Sequence, residues 1–237
     1  MNISVVIPAY NEEKYIGDCL RSVVQNRTDD ILEIIVIDNA STDGTAEVAR
    51  KFPGVRVVAE PQKGLTRARQ RGLEEAKGDL VAYLDADTRM PAVWAAIVKK
   101  EFAEHPEMVS LSGPFHYYDL PPFEKLVAES LWALTAMPTF WIVGFMVLGA
   151  NFVAKRSALL QIGGFDTTIA FYGEDTNIAR RLSKAGKARF DMRFFIIGSG
   201  RRLMDEGVIR TFSRYAMNYF STALYHKPVT QEYKDIR

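Results

Sequence analysis

Two carboxylates separated by one residue, Asp85 and Asp87, directly follow an apolar run at residues 80–84. Carboxylate oxygens are the ligands that Mg²⁺ and Mn²⁺ prefer, and a bound cation can in turn hold diphosphate oxygens. The spacing therefore predicts a divalent metal site at the end of a strand, although aspartates in that place also cap helices or stay solvated. The sequence contains no Gly-x-x-x-x-Gly-Lys-Ser/Thr loop, so a bound phosphate would need an anchor of another kind.

A second acidic pair, Glu174 and Asp175, begins a stretch with helical periodicity that runs to Ala185. The positive end of the helix dipole favours an ionised carboxylate at this position. An ionised carboxylate can act as a general base near neutral pH. Helix capping explains the same two residues without any catalysis, and the residues alone leave both interpretations open.

Short apolar runs alternate with helical patterns along the first ninety residues. The runs at 3–7, 33–37, 55–58 and 80–84 are typical of strands, and the order predicts a mainly parallel sheet covered by helices on both faces. Ligands bind at the carboxyl ends of such strands, where Tyr10, Asp38, Asp85 and Asp87 are expected to gather. We also expect helix caps at Asn11 and at Ser41 or Thr42.

The second half of the chain is less regular. Strands are predicted at 108–111, 115–118 and 194–197, and helices at 122–136, 174–185 and from Val208 to Ala223. Residues 130–154 carry no charge, a length that would suit a membrane span, but Pro138, Gly144 and Gly149 interrupt it. A span would also separate the two acidic pairs. We therefore interpret the stretch as core, with a hydrophobic acceptor pocket or an interfacial membrane patch as alternatives.

Composition narrows the class of protein. With 237 residues, 48% hydrophobic and 25% charged, the chain is an ordinary folded protein and not a disordered or fibrous one. A net charge of +1 gives no electrostatic reason to bind nucleic acid. The single cysteine, Cys19, excludes a disulfide framework within one chain, and no signal peptide is visible. The expected location is cytoplasmic.

Several short strings occur together in this chain. They are Val5 to Glu13, Val36 to Thr45, Gly64 to Gly72, Gly78 to Asp87, Gly149 to Phe152, Gly163 to Asp166 and Phe171 to Leu182. In this order they resemble glycosyltransferase family 2, over about residues 3–190. The resemblance implies an α/β fold of the GT-A type, a nucleotide-sugar donor, Mn²⁺ or Mg²⁺, and inversion at the anomeric carbon. We expect one domain over residues 1–237, with a nucleotide half at about 1–90 and an acceptor half at about 91–237.

The resemblance also implies roles for individual residues. The nucleoside would contact Pro8, Ala9, Tyr10, Glu12 and Asp38, and a phosphate would contact Arg69. Asp85 would face the ribose or the metal, and Asp87 would bind the metal directly. The catalytic base would be Asp175, supported by Glu174. Asp38 would accept an N–H from uracil or guanine, so it does not distinguish the two bases, and a UDP-sugar is favoured over a GDP-sugar.

Other interpretations of these residues remain. Tyr10 can be a packed aromatic, and Arg69 can form a solvated helix face with Arg67 and Arg71. Arg201 and Arg202 can bind diphosphate or lie on the surface, and His226 can approach the metal from the C-terminal side. These alternatives cannot be separated by sequence.

The function predicted from these residues is a metal-dependent inverting glycosyltransferase that uses a saccharide or lipid-linked acceptor. One alternative is a sugar nucleotidyltransferase, which also needs strand-end aspartates and a metal; the Glu174–Asp175 pair argues against it. Another is a non-catalytic nucleotide-sugar-binding module that docks on membranes. Peripheral membrane contact is also expected from the uncharged stretch and from the arginines that follow it.

Overall fold

A seven-stranded sheet lies at the centre of the chain in the computed structural model, which describes residues 1–230. In sheet order the strands are β3 (Val55–Ala59), β2 (Ile31–Asp38), β1 (Ile3–Ala9), β4 (Leu80–Leu84), β8 (Asn151–Lys155), β6 (Met108–Ser112) and β9 (Lys187–Phe190). The strand β8 is antiparallel to both of its neighbours, and the other neighbouring pairs are parallel. The predicted α/β fold with a mainly parallel sheet is confirmed.

Helices cover both faces of this sheet, as the alternation of patterns predicts. One face carries α1 (Ile16–Gln25), α2 (Thr45–Arg50) and α4 (Trp94–Glu104), and the other carries α3 (Leu65–Glu75), α6 (Arg156–Gln161) and α7 (Glu174–Leu182). Successive side chains of a strand point to opposite faces, so Val5 packs in the first core and Val6 in the second. Both cores hold the carboxyl edge of the sheet in place.

A second, three-stranded sheet lies beside that edge. It consists of β5 (Thr88–Arg89), β10 (Ile196–Gly198) and β7 (Phe115–Tyr117), with β10 in the middle. The strand expected at 194–197 is therefore β10, shifted to 196–198. Since β10 pairs with β5, the short helix α8 (Arg201–Glu206) that follows it begins close to Asp87, and the Ser199 amide donates to the Asp87 carbonyl at 3.2 Å.

The predicted helix caps are wrong. Helix α1 begins at Ile16 and α2 at Thr45, and neither has a side-chain cap. Asn11, at φ +51°, instead accepts a hydrogen bond from the Thr42 amide at 2.8 Å, and its own amide donates to the Ser41 hydroxyl at 3.1 Å. Because β1 and β2 run in parallel register to Ala9 and Asp38, the loops after them lie side by side and satisfy each other's polar groups.

The uncharged stretch at 130–154 divides between two environments. Its C-terminal part forms the buried strand β8, whereas its N-terminal part belongs to α5 (Pro122–Val143), which continues past the predicted end at Ala136 and through Pro138. Ala128 and Ala136 are the buried residues of α5. The interpretation of the stretch as core therefore holds for only part of the helix: Trp132 packs against Phe212 of α9 (Val208–Tyr225) and Phe140 against Phe190 of β9, whereas Leu134, Trp141 and Ile142 are exposed.

By length and composition α5 is long and apolar enough to span a membrane, and little of its apolar part is buried. The strands on either side of it argue against a crossing. β6 precedes α5, β8 follows it, and the two strands pair directly, Ser112 opposite Phe152. Both ends of α5 therefore return to the same sheet, and the helix lies along the surface of the domain.

Candidate active site

The two acidic pairs lie in one cavity of about 590 Å³ at the carboxyl edge of the central sheet. Among the predicted site residues its lining includes Pro8, Glu12, Arg69, Asp85, Asp87, Glu174 and Asp175. Three other predicted residues, Ala9, Tyr10 and Asp38, are not part of this lining. The cavity thus joins residues from both halves of the sequence.

Ala9, Tyr10 and Asp38 lie at the ends of β1 and β2, beside the cavity. Ala9 is opposite Asp38 in the strand register, and the Asp38 carboxylate accepts from the Ser41 amide at 3.3 Å. The Lys63 ammonium lies 3.8 Å from the centre of the Tyr10 ring. Tyr10 and Asp38 are both half-buried, so their side chains keep access to solvent, and their nucleoside contacts stay predictions.

Arg69 connects the two acidic pairs. Its side chain is 1% exposed, and its Nη1 lies 2.5 Å from Glu174 Oε2 and 3.1 Å from Asp175 Oδ1, while Nη2 lies 3.4 Å from Asp85 Oδ1. Burial opposes its charge, but the three carboxylates more than compensate and raise the pKa of Arg69. The interpretation of Arg69 as part of a solvated helix face is therefore wrong.

The helical phase contains the signal that places Arg69 inside. Thr66, Arg69 and Leu73 follow one another at intervals of three and four residues, so they lie on one side of α3, and all are buried. Arg67 and Arg71 project elsewhere and keep contact with solvent, pairing with Gln62 and Glu75. Three alternating arginines on a helix are therefore not equivalent.

Glu174 and Asp175 differ in their exposure. The Glu174 side chain is 7% exposed and the Asp175 side chain 36%. Burial raises the pKa of Glu174 well above its ordinary value; Arg69 opposes this rise and the neighbouring Asp175 adds to it. Asp175, with the more open carboxylate, is the better placed of the two to meet an incoming hydroxyl.

Two glycines fix the position of Asp175. Gly173 precedes α7 in the left-handed region, at φ +79°, which directs the chain into the helix at Glu174. The Gly149 amide donates to Asp175 Oδ2 at 2.9 Å. A Cβ at Gly149 would collide with both Arg69 and Asp175, so this close approach requires glycine.

Substituting Glu174→Gln is expected to change how stability depends on pH. The raised pKa means that folded Glu174 keeps its proton above the ordinary value of about 4.5, where the unfolded chain has lost it. The folded state then binds more protons, so the wild-type free energy of unfolding falls as pH rises, by at most about 1.4 kcal/mol per pH unit. Glutamine does not titrate and removes this slope.

Urea unfolding at a series of pH values measures the difference. The stability of the Glu174→Gln variant relative to wild type should increase from pH 4.5 upward, until the raised pKa is passed. Glu124→Gln, on the exposed surface of α5, is the matched control and should show no such trend. A difference that stays constant with pH would show that Glu174 ionises equally readily in the folded and unfolded chains, and one that decreases would show that folding favours its ionised form; either result contradicts the raised pKa.

Arg201 closes the opposite side of the cavity. Its guanidinium contacts Glu12 through Nη2 at 2.6 Å and Nη1 at 3.0 Å, and Nη2 also lies 3.0 Å from Asp87 Oδ2. Burial opposes the charge, but these carboxylates raise the pKa of Arg201. The interpretation of Arg201 as a surface residue is therefore wrong. Its partner Glu12 is 189 positions away in the sequence, and no sequence pattern indicates this contact.

Asp85 and Asp87 are suited to hold a divalent metal. Both line the cavity at the end of β4, and both offer oxygen ligands. Among residues 1–230 no group of three or more His, Cys, Asp or Glu side chains could hold a metal, and His226 is exposed at the end of α9, outside the cavity lining. Mg²⁺ and Mn²⁺ commonly bind through one or two carboxylates together with substrate phosphates, so this small set fits such an ion.

The family profile described as "Glycosyl transferase family 2" matches residues 4–163. This match covers more than half of the chain. The chain belongs to glycosyl transferase family 2. The profile ends before Glu174, Asp175 and Arg201, so the match does not cover these three residues of the cavity lining.

Relatives of this family 2 chain include glycosyltransferase AglE of Haloferax volcanii, 37% identical over 98 residues that cover 39% of this chain and 32% of AglE. The chain spans 26% to 32% of the length of the first three curated relatives.

Two solved structures, each 21% identical, share its GT-A fold. The mannosyltransferase PcManGT of Pyrobaculum calidifontis, in complex with GDP-Man and Mn²⁺, has a TM-score of 0.67 over 91% of this chain and 64% of its own.

The other structure is glucosyl-3-phosphoglycerate synthase of Mycobacterium tuberculosis, in complex with Mn²⁺, UDP-Glc and phosphoglyceric acid. It has a TM-score of 0.64 and covers 94% of this chain and 79% of its own. At this level of identity the likeness of both structures to the family 2 chain establishes the fold.

Proposed function

We propose that this family 2 domain transfers a sugar from a nucleoside-diphosphate sugar to an acceptor hydroxyl with inversion of the anomeric carbon. The observation that carries the proposal is the position of Arg69, which contacts Asp85 of one acidic pair and both members of the other within one cavity. Groups for the donor and for the acceptor then lie around a single reaction centre. Residues of about 1–90 supply the donor side, and those of about 91–237, of which the structure describes 91–230, supply the acceptor side.

Asp175 is the proposed general base. Its half-exposed carboxylate accepts the proton of the acceptor hydroxyl as the hydroxyl oxygen attacks the anomeric carbon and the bond to the diphosphate breaks. A single displacement of this kind inverts the configuration. Arg69 and the Gly149 amide each hold one oxygen of the Asp175 carboxylate, so both are positioning groups. Glu174 supports Asp175 through the shared guanidinium.

The nucleoside is proposed to lie along the ends of β1 and β2. Pro8 and Ala9 end β1, and Tyr10 and Glu12 follow it; Asp38 ends β2, where its carboxylate can accept an N–H of the nucleobase. Uracil N3–H and guanine N1–H both satisfy this geometry. The complexes of PcManGT with GDP-Man and of the mycobacterial synthase with UDP-Glc support a search with both nucleotides.

Asp87, with Asp85 beside it, is the proposed ligand of Mn²⁺ or Mg²⁺. When bound, such an ion supplies positive charge that neutralises the departing diphosphate. The Mn²⁺ in both structural relatives supports this assignment. Arg201 already compensates Asp87 and Glu12 in the protein alone, so the acidic side of the cavity is held in place by a cation of the chain itself.

Product analysis tests this proposal against its two alternatives. Incubation with UDP- and GDP-sugars and Mn²⁺ should release nucleoside diphosphate, with slow hydrolysis by water where no acceptor is present. A sugar nucleotidyltransferase would instead consume nucleoside triphosphate and sugar phosphate and release pyrophosphate, whereas a non-catalytic binding module would release nothing from any donor. Either of these results overturns the transferase. The cytoplasmic location stays a prediction.

A further inference from the structure

We infer that the acceptor is a membrane lipid whose hydrocarbon chain lies between α5 and α9 while its headgroup reaches Asp175. The inference rests on the proposed function and adds the class of acceptor. The α5–α9 groove is the part of the cavity lined by Leu131, Trp132 and Ala136 of α5 and by Phe212, Ala216 and Tyr219 of α9.

The groove is continuous with the reaction centre. The same cavity that contains Asp87 and Asp175 extends between the two helices, where aromatic and aliphatic side chains line it together with hydroxyl groups such as those of Thr135, Thr139 and Thr211. The aliphatic part of this lining suits a hydrocarbon chain better than a saccharide, whose hydroxyls would lose hydrogen bonds to water there. A molecule with a polar head and an apolar chain can satisfy both parts of this cavity.

Exposed apolar side chains surround the groove on the outside of the domain. On α5, Phe123, Leu134 and Trp141 are spaced by whole helical turns and share one face, and the adjoining Ile142 is 81% exposed. On α9 a second stripe is exposed, formed by Ile209, Met217, Phe220 and Leu224. Contiguous apolar surface of this kind marks a site of association, and a helix that exposes it beside a polar domain suits the membrane interface.

Charge favours an anionic lipid surface as the occupant. Residues 207–230 contain Arg210, Arg214 and Lys227 and no acidic residue. Arg214 pairs with Glu206, whereas Arg210 and Lys227 are exposed at the two ends of α9. Basic side chains beside an apolar face attract anionic headgroups, and this attraction weakens with salt.

The same helix contacts the segment that carries the proposed base. The Arg214 guanidinium donates to the Tyr172 hydroxyl at 3.2 Å, and a Cβ on Gly173 would collide with the Thr222 hydroxyl. Tyr172 and Gly173 directly precede Glu174 and Asp175 in the chain. A lipid seated against α9 is therefore brought to the start of α7, where the proton acceptor lies.

Sedimentation with vesicles tests the surface. The full chain should pellet at low salt with vesicles of phosphatidylcholine and phosphatidylglycerol, and less with phosphatidylcholine alone. Ile142→Glu should weaken the association at least about tenfold, because it removes apolar burial and adds a negative charge. Leu160→Glu changes an exposed aliphatic residue on α6, away from the groove, and is the matched control.

Quenching by lipids brominated in their acyl chains tests the groove itself. The sequence has three tryptophans: Trp94 is buried in the core, Trp132 lines the groove and Trp141 is exposed. In a Trp141→Phe variant, brominated vesicles should quench the remaining fluorescence through Trp132. Further replacement of Trp132→Phe leaves Trp94 alone, and that fluorescence should be unaffected.

Replacement of two alanines by phenylalanine distinguishes lipid in the groove from lipid on the surrounding surface. Ala216→Phe, made in the Trp141→Phe background, adds a ring at the exposed mouth of the groove and should reduce the quenching several-fold. Ala133→Phe adds the same ring at an exposed position of α5 outside the cavity lining and should leave the quenching in place.

Three results would overturn the inference. In the first, the protein stays in the supernatant with anionic vesicles. In the second, the Trp141→Phe variant binds vesicles but its fluorescence is not quenched. In the third, the protein forms a dimer that binds no vesicle and that dissociates on Ile142→Glu, which would assign the surface to a second copy of the chain. Release of nucleoside diphosphate is measured separately. Its absence with quenching intact would count against the transferase, and its presence without quenching would count against the lipid acceptor alone.

Discussion

Replacing Asp175 with asparagine is expected to lower turnover by about 10² to 10⁴-fold while the nucleotide sugar still binds. Asparagine keeps the shape and one acceptor oxygen of the side chain, so the hydrogen bond from the Gly149 amide can persist. It cannot take the proton of an attacking hydroxyl. Release of nucleoside diphosphate measures turnover, and thermal stabilisation by the donor measures binding.

A matched control is Asp29→Asn, an exposed aspartate in the loop before β2 and outside the cavity lining. It should leave both turnover and binding at the wild-type level. If Asp175→Asn turns over at the wild-type rate, the base lies elsewhere. If it loses donor binding in proportion to turnover, Asp175 acts by holding Arg69 and Asp85 and not by accepting a proton.

Replacing Asp87 with alanine is expected to weaken binding of nucleoside diphosphate in the presence of Mn²⁺ by more than about tenfold, which corresponds to about 1.4 kcal/mol. The reason is that Asp87 is the proposed direct ligand of the ion that bridges to the diphosphate. EDTA should weaken binding to the wild type by a comparable factor and have little further effect on the variant. Calorimetric titration with and without the metal measures both effects.

Asp79→Ala provides the control at the opposite end of the same strand. Asp79 is exposed directly before β4, whereas Asp87 lies just beyond its carboxyl end. Both substitutions remove one negative charge, so a difference in affinity between them reports where the metal binds and not the net charge of the chain. Asp79→Ala should bind as the wild type does. Equal affinity of the wild type with and without EDTA would contradict the metal assignment.

Much of the sheet and of the acidic edge could be predicted because the signals are local. Each of β1, β2 and β4 is a run of apolar residues followed by a polar one, and parallel strands bring their carboxyl ends to one edge. Asp85 and Glu174 thus follow from strand and helix boundaries. The strand β8 could not be predicted, because it continues an uncharged stretch and no polar or turn-forming pattern in that stretch distinguishes it as a strand.

The ion pairs across the cavity could not be predicted, because they depend on tertiary structure. Arg201 reaches Asp87 only because β10 pairs with β5, a contact between segments about a hundred residues apart. The exposure of α5 is hidden for another reason. From Ser130 to Val143 the helix carries no charge, and such a helical segment is ordinarily buried, so composition does not reveal that the domain leaves much of it on the surface.

The most direct test of the proposed reaction centre is a crystal structure of the Asp175→Asn variant with an intact nucleotide sugar and Mn²⁺. The slow variant preserves the donor, and manganese is located by its anomalous scattering. We predict manganese beside Asp85 and Asp87, the nucleobase of the donor at the ends of β1 and β2, and the anomeric carbon facing residue 175 across the cavity. Manganese bound away from the two aspartates, or a sugar turned away from residue 175, would contradict this assignment.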